Sequence, residues 1–305
     1  MSNGQSVTVL GTGLMGAGIA HRLLAQGHEV TVWDRDLARC QQLATDGAWI
    51  APSAEAATGQ SPTVITVLPD ANATRAVMEA GLPACPNGAL WAQMGTVGPT
   101  ATRQLADLAE AAGVGFLDCP IIGTKGPARS GSLVVLASGR PELLPGLRPL
   151  LDAISVRTIW VGERLGAASS LKLVVNHLML SSLVALGESL NLAERLDLDP
   201  ELLLTAIAGG PLDSAISQVK GRAMLGADYE PTFPLRLAAK DARLISELAG
   251  QIGLELAVGE AASAVLARGL SLGLGEEDVS AVYAALKGAQ GGPQLASAFP
   301  PGRLD

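Results

Sequence analysis

Through the first half of the chain, short apolar runs alternate with amphipathic stretches. Runs rich in Val, Ile, Leu and Thr at 6–10, 29–33, 63–68, 89–94, 114–118, 132–138 and 156–161 predict strands. Helices fit between them, for example 14–26, closed by Gly27, and 99–112, opened by Pro99 and closed by Gly113. Alternation of this kind predicts a mainly parallel sheet covered by helices on both faces. The strand pair near 114–138, joined by a loop, is placed to extend that sheet.

The pattern changes after Gly162. One long helix is predicted from Gly166 to about Arg195, followed by helices near 200–208, 213–225, 235–250, 255–270 and 278–287, with little strand signal. The reading is an α/β domain over 1–163 and an all-α domain over 164–290, joined by the long interdomain helix. Gly291-Gly292-Pro293 through Pro300-Pro301-Gly302 makes 291–305 a loose tail. A long helix is hard to cover within a small domain, so its apolar face predicts a subunit interface, in a homodimer or homotetramer.

The first strand runs directly into Gly11-Thr12-Gly13-Leu14-Met15-Gly16, and a helix begins at about Leu14. Gly11 permits a tight turn, Gly13 lets backbone approach a pyrophosphate, and Gly16 lets helix and strand pack closely. The first helical N–H groups and the positive end of the helix dipole then face the phosphates. The second strand, Glu29-Val30-Thr31-Val32-Trp33, ends in Asp34, near the spacing of an acid that binds the adenosine ribose hydroxyls. Together these predict a Rossmann-type dinucleotide site; the alternative is a glycine-rich structural turn.

Composition narrows the class. The 305 residues are 48% hydrophobic but only 3% aromatic, so the core is built from Ala, Val, Leu and Ile. A net charge of −8 without a basic stripe argues against nonspecific nucleic-acid binding, which needs phosphate-neutralising cations. Cys40, Cys85 and Cys119 form no CxxC pair, and His21, His28 and His177 lack metal-ligand spacing, so no metal is expected. Unpaired thiols and the lack of a signal-peptide pattern predict a cytoplasmic protein. The apolar stretch Leu173 to Leu186 contains Asn176 and His177 and is too short to span a bilayer, so no membrane is expected.

Four further segments complete a pattern. Asp118-Cys119-Pro120-Ile121-Ile122-Gly123-Thr124-Lys125-Gly126-Pro127-Ala128 continues to Gly131-Ser132-Leu133. Gly162 to Asn176 carries Lys172 and Asn176 in KxxxN spacing. Lys240-Asp241 and Glu277-Asp278-Val279-Ser280-Ala281 follow. With the glycine turn, these five elements, in this order over nearly the whole chain, resemble the β-hydroxyacid dehydrogenases. That family includes 3-hydroxyisobutyrate dehydrogenase and the glyoxylate and succinic semialdehyde reductases, and the second segment takes the form of the glyoxylate reductase branch.

The resemblance implies an NAD(P)-dependent oxidoreductase that moves hydride between nicotinamide and a small hydroxy acid or its carbonyl counterpart. Lys172 would be the general acid/base, with Asn176 holding the lysine and the substrate oxygen in register. Four residues apart on a helix, the two share one face. A lysine on an apolar face is costly to bury without a partner or a task, and partial burial lowers a free pKa of about 10.4. Read without the resemblance, Lys172 snorkels to solvent and Asn176 bonds to backbone. Lys240 is implied to close over the site; otherwise it pairs with Asp241 at the surface. Thr96 is implied near the nicotinamide ribose; otherwise it caps the helix from Pro99. Leu68, Pro69 and Asp70 should line the cofactor cleft, and Ile122, Gly123 and Thr124 the substrate.

Two departures bear on substrate. Ile122 stands where the family usually has a serine that binds the substrate carboxylate, leaving the Gly123 and Thr124 backbone N–H groups and the Thr124 hydroxyl to compensate. Gly95 replaces a common serine and is expected to enlarge the pocket near the nicotinamide. Cofactor choice is divided. Asp34 and Asp36 repel a 2′-phosphate and favour NAD, whereas Arg35 and Arg39 lie where basic residues grip that phosphate in NADP. The balance leans to NAD. An imine reductase, which shares the architecture and often has an Ile-Gly segment at Ile122-Gly123 but usually lacks the lysine, is one alternative; a cofactor-binding protein without turnover is another.

Overall fold

The computed structural model describes residues 4–288, so the tail read at 291–305 lies outside the described residues. Its strands are β1 (Ser6–Leu10), β2 (Glu29–Trp33), β3 (Trp49–Ile50), β4 (Thr63–Thr66), β5 (Leu90–Gln93), β6 (Gly115–Asp118), β7 (Ile121–Ile122), β8 (Leu133–Gly139) and β9 (Ser155–Gly162). They form one sheet in the order β3-β2-β1-β4-β5-β6-β8-β7, with β9 also paired to β8. From β3 to β6 every pairing is parallel. Strand order reverses between β1 and β4, and in doubly wound sheets a ligand crevice opens at the carboxyl ends beside such a reversal.

The period-two alternation of a buried strand places neighbours on opposite faces. Val7 and Val9 join a core cluster with Ile19, Leu23, Leu147, Leu150 and Ile154 from helices on one face. Leu10, Val64, Trp91 and Phe116 join Met78, Leu105 and Ala109 on the other. The α/β reading holds, with helices on both faces as the alternation predicted. β8 pairs antiparallel with β6 and then β7 along one edge, and parallel with β9 along the other. β3 and β7, each of two residues, are too short to carry a readable period in the sequence.

The long helix runs Ala167–Arg195, followed by helices Glu201–Ile207, Ala215–Gly226, Leu235–Gln251 and Ala257–Ser271. The last predicted helix is divided into a 3-10 turn, Val279–Ala281, and helix Val282–Lys287, with the Asp278 carboxylate accepting from Ser280 N at its start.

Packing gathers the chain into two compact units. One holds the chain through Leu180 together with Lys240–Glu260; the other holds Ser181–Ala239 and the chain from Ala261. The beginning of the long helix belongs to the first unit because Ala168 N and Ser169 N donate to Ser138 and Asp118 at the ends of β8 and β6. Lys240 belongs there because its ammonium bonds to the carbonyls of Pro69 and Thr96.

The second unit has its own polar centre. The buried Lys220 ammonium lies 2.8 Å from both oxygens of the buried Asp278, which also accepts from the Thr232, Phe233 and Ser280 amides. Leu204, Met224, Leu266, Val279 and Tyr283 are buried there.

Candidate active site

The glycine turn follows β1 as expected. Gly11 adopts φ +95°, and a Cβ there would lie 2.5 Å from the Val67 carbonyl oxygen, so only glycine allows the approach to the neighbouring strand end. A Cβ on Gly16 would lie 1.9 Å from the Gly11 carbonyl oxygen, which fixes the close packing of helix Leu14–Ala25 on the turn. A Cβ on Gly13 would meet nothing within 4 Å, so this is the open face. Gly13 caps the helix without a side-chain bond, and Leu14 and Met15 remain partly exposed beside it. An uncapped helix N-terminus facing open space at the carboxyl end of a parallel strand fits a dinucleotide's phosphates.

Asp34, just past β2, is bound into the turn. Its Oδ2 accepts from Thr12 N at 2.8 Å and its Oδ1 from Asp36 N at 3.0 Å. Each oxygen retains a further lone pair for a ribose hydroxyl. Asp36 caps the 3-10 turn Leu37–Cys40 and lies 3.4 Å from Arg39, with both side chains exposed; Arg35 is exposed as well.

Two loops continue this edge. After β4 come part-buried Leu68 and exposed Pro69; after β5 come Gly95 and Thr96. Gln93 shapes the second loop, accepting from Gly95 N at 3.0 Å and donating to Gly95 O at 2.7 Å. A Cβ on Gly95 would lie 2.6 Å from the Leu68 carbonyl oxygen. The missing side chain therefore lets two loops approach, and the expected enlargement of the pocket is corrected. Thr96 does not cap the helix Pro99–Ala111, whose N-cap is Gly98 without a side-chain bond. The Thr96 carbonyl instead accepts from Lys240 Nζ at 2.5 Å, and the Pro69 carbonyl from the same ammonium at 2.8 Å. Lys240 thus ties the two loops together. A cavity of about 290 Å³ opens beside it, lined among others by Asp70, Asn72, Gln104 and Arg243.

Lys172 and Asn176 occupy the part of the long helix that belongs to the same unit. Asn176 is buried and donates to Asp241 Oδ2 at 2.7 Å, rather than to backbone. The second oxygen of Asp241 lies 3.1 Å from Lys240 but off the direction a hydrogen bond needs. So Lys240 does pair with Asp241, but the aspartate is buried and the lysine part-buried. Lys172 is part-buried. Burial lowers its pKa, Asp241 pulls it up, and Lys240 pushes it down again.

Asp241 was absent from the expected site residues although it stands at the centre of this group. The signal was available: it lies on the same helical stripe as buried Ala238, Ala242, Ile245 and Ala249. An acid on an apolar stripe needs a buried partner.

In the substrate segment, Ile122 pairs with Val134 across β7 and β8 and is part-buried; Gly123 and Thr124 are exposed. Thr124 is the N-cap residue of the short helix Lys125–Ser130, and its hydroxyl makes no capping bond.

A mainly parallel sheet, an uncapped helix N-terminus, an acid at the next strand end and a lysine–asparagine–aspartate group define a dinucleotide-dependent oxidoreductase. Residues 6–162 match the NAD-binding domain of 6-phosphogluconate dehydrogenase, and residues 166–286 match the NAD-binding domain of NADP-dependent 3-hydroxyisobutyrate dehydrogenase. Glyoxylate/succinic semialdehyde reductase 1 of Arabidopsis thaliana is 32% identical over 92% of this chain and 98% of its own length. A 3-hydroxyisobutyrate dehydrogenase structure from Salmonella typhimurium aligns with a TM-score of 0.86 at 25% identity, covering 92% of this chain and 99% of that one. An imine reductase from Pseudomonas sp. aligns with a TM-score of 0.65 at 20% identity, covering 93% and 100%, a likeness of fold. The chain belongs to the β-hydroxyacid dehydrogenase family. It is an NAD(P)-dependent oxidoreductase.

Proposed function

We propose that this enzyme interconverts a small hydroxy acid and its carbonyl counterpart, with Lys172 as general acid/base. The observation that carries the reading is the group Lys172–Asn176–Asp241, assembled beside loops that a cofactor of this class would follow. The bound nicotinamide supplies or accepts the hydride. Lys172 Nζ gives a proton to the carbonyl oxygen during reduction and takes it back during oxidation. A pKa lowered by burial brings its neutral form within reach nearer neutral pH. Asn176, held by Asp241, has its carbonyl oxygen left to orient the lysine or the substrate hydroxyl.

The cofactor is NAD or NADP, and we favour NAD. Asp34 places a negative charge where the adenosine ribose is expected, and the Thr12 and Asp36 amides hold it there. Arg39 is engaged with Asp36, which weakens the case for a phosphate grip. Gly11, Thr12, Gly13, Leu14, Met15 and Gly16 would take the pyrophosphate, Leu68, Pro69, Thr96 and Lys240 would border the nicotinamide half, and Ile122, Gly123 and Thr124 would meet the substrate.

A homodimer or homotetramer is supported by Val174, Leu178 and Leu192 on the long helix, exposed by 61%, 70% and 61%. That helix is long and apolar enough to cross a membrane by length and composition. Its Lys172 and Asn176 favour a role inside a globular fold, with no membrane partner. Three unpaired cysteines support a cytoplasmic setting, and the net charge of −8 supports the absence of a nucleic-acid partner.

The test is oxidation of reduced cofactor with panels of aldehydes, keto acids and cyclic imines. Turnover of aldehydes or keto acids supports this reading. Turnover of imines alone would make the enzyme an imine reductase, for which the shared fold is the support. Cofactor binding without turnover would make it a binding protein. Lys172→Ala should keep cofactor affinity and lower turnover by at least about a hundredfold; near-normal turnover across the pH range would remove Lys172 from the mechanism.

A further inference from the structure

Asp118 closes β6 with no exposed surface. Among the described residues, no cation pairs with it. A buried carboxylate without a counter-ion costs several kcal/mol unless hydrogen bonds offset the lost water. Here three do. Oδ2 accepts from Ser169 N at 2.8 Å and from Ser138 Oγ at 3.2 Å, and Oδ1 accepts from Ser169 Oγ at 2.7 Å. Burial pushes the Asp118 pKa up while these donors pull against it.

The geometry joins three elements. Ser138 faces Asp118 across the β6–β8 ladder, and its hydroxyl oxygen accepts from Ala168 N at 3.0 Å. Two successive N–H groups in the first turn of helix Ala167–Arg195, which have no acceptor within the helix, therefore end on the Asp118–Ser138 pair. The carboxylate also lies at the positive end of the helix dipole. Thr102 Oγ1 lies 2.9 Å from Ser169 Oγ, bringing in the helix Pro99–Ala111.

Lys172 follows Ser169 by three residues, a rise of about 4.5 Å along the axis. In the other chain direction, Ile122, Gly123 and Thr124 begin four residues after Asp118. One side chain thus sets the origin of the helix that carries the lysine and of the segment expected to carry the substrate. We infer that Asp118 is a positioning residue, which fixes the axial and rotational setting of Lys172 against the Ile122–Thr124 segment. This rests on the reading of Lys172 as the acid/base. A displacement near 1 Å in a reacting geometry can cost about a hundredfold in rate, so a small slip of the helix origin matters for turnover.

The experiment compares wild type with Asp118→Asn, which removes one acceptor at nearly constant shape, and Ser169→Ala, which removes one donor and leaves the amide. Four quantities are read: reduced-cofactor affinity by fluorescence titration, kcat and KM on the best carbonyl substrate of the panel, the solvent deuterium isotope effect on kcat, and amide exchange in peptides covering 166–176. The expected result is cofactor affinity within about twofold of wild type and faster exchange at 166–176. With it, kcat falls by about tenfold or more in Asp118→Asn, and by less in Ser169→Ala, and the solvent isotope effect grows as proton transfer becomes limiting.

Unchanged exchange in both variants overturns the anchoring. Faster exchange with wild-type kcat and isotope effect overturns the positioning role and leaves Asp118 a stability residue. If Asp118→Asn does not fold, Ser169→Ala decides alone by the same criteria. A wild-type enzyme inactive on the whole panel overturns the proposed reaction, and this inference with it. Failure of the inference alone appears only in the variants.

Discussion

At Lys172, burial and charge oppose each other. Burial is the larger effect and lowers the pKa, the Asp241 carboxylate raises it, and the Lys240 ammonium lowers it. Alcohol oxidation needs the neutral amine, so its rate should rise with pH through the Lys172 pKa, below the ordinary 10.5. Asp241→Asn removes the attractive charge while Lys240 stays, so the amine loses its proton more easily. The rising limb of kcat for oxidation should move to lower pH; a limb that moves up or stays would show that Asp241 does not act on Lys172. At Ile122 the argument concerns a missing donor. A carboxylate leaving water must recover hydrogen bonds from protein, and isoleucine offers none. Ile122→Ser should improve kcat/KM for small 3-hydroxy or 2-keto acids by about tenfold, near 1.4 kcal/mol and a plausible share of one charge-assisted bond. A poorer serine variant, with small acids already good wild-type substrates, would place Ile122 away from the carboxylate. Residue identities point to this chemistry, but not to its setting. Lys240 reads as a surface ion or as the part-buried tie it is, because backbone carbonyl partners 171 and 144 residues away leave no local mark.

The strand–turn–helix from β1 to Leu14–Ala25 was the most legible element, since each part has a local physical cause. The strand is apolar, the turn needs glycine at φ +95°, and the helix begins where the strand ends. What the pattern did not show is that Asp34 also holds the turn through Thr12 N. That bond shapes the cofactor prediction. Asp34→Asn keeps a carbonyl oxygen for Thr12 N but removes the charge, so kcat/KM with NADP should rise relative to NAD. An unchanged ratio would show that Asp34 does not touch the ribose. Elements too short for a period, β3 and β7, leave no mark in the pattern, and the last helix opens with a 3-10 turn that Asp278 caps through Ser280 N.

For the molecule as a whole, the Lys220–Asp278 pair predicts acid behaviour. Burial works to raise the Asp278 pKa, but the bonds from Lys220, Ser280 and Thr232 outweigh it and hold the value at about 2, against 3.8 ordinarily. A depressed carboxylate pKa contributes stability that is complete above the unfolded value and is lost as pH falls through the folded one. The loss should therefore fall between about pH 4 and pH 2 and amount to about 2 kcal/mol. Asp278→Asn should destabilise the protein at neutral pH and flatten that acid limb, followed by urea unfolding at a series of pH values. An acid limb as steep as wild type would mean that other carboxylates carry it.

Hydrophobic period, glycine placement and five ordered segments determined the α/β and helical halves, the dinucleotide turn, the family and the pair Lys172–Asn176. These are local properties, or patterns carried along the chain. Tertiary structure alone decided that Asp241 completes the group, that Lys240 ties two loops, that Gly95 serves a close approach, and that the start of the long helix packs on β6 and β8. Each of these depends on which distant backbone groups are left without water and must find a partner, and linear sequence does not encode that distance.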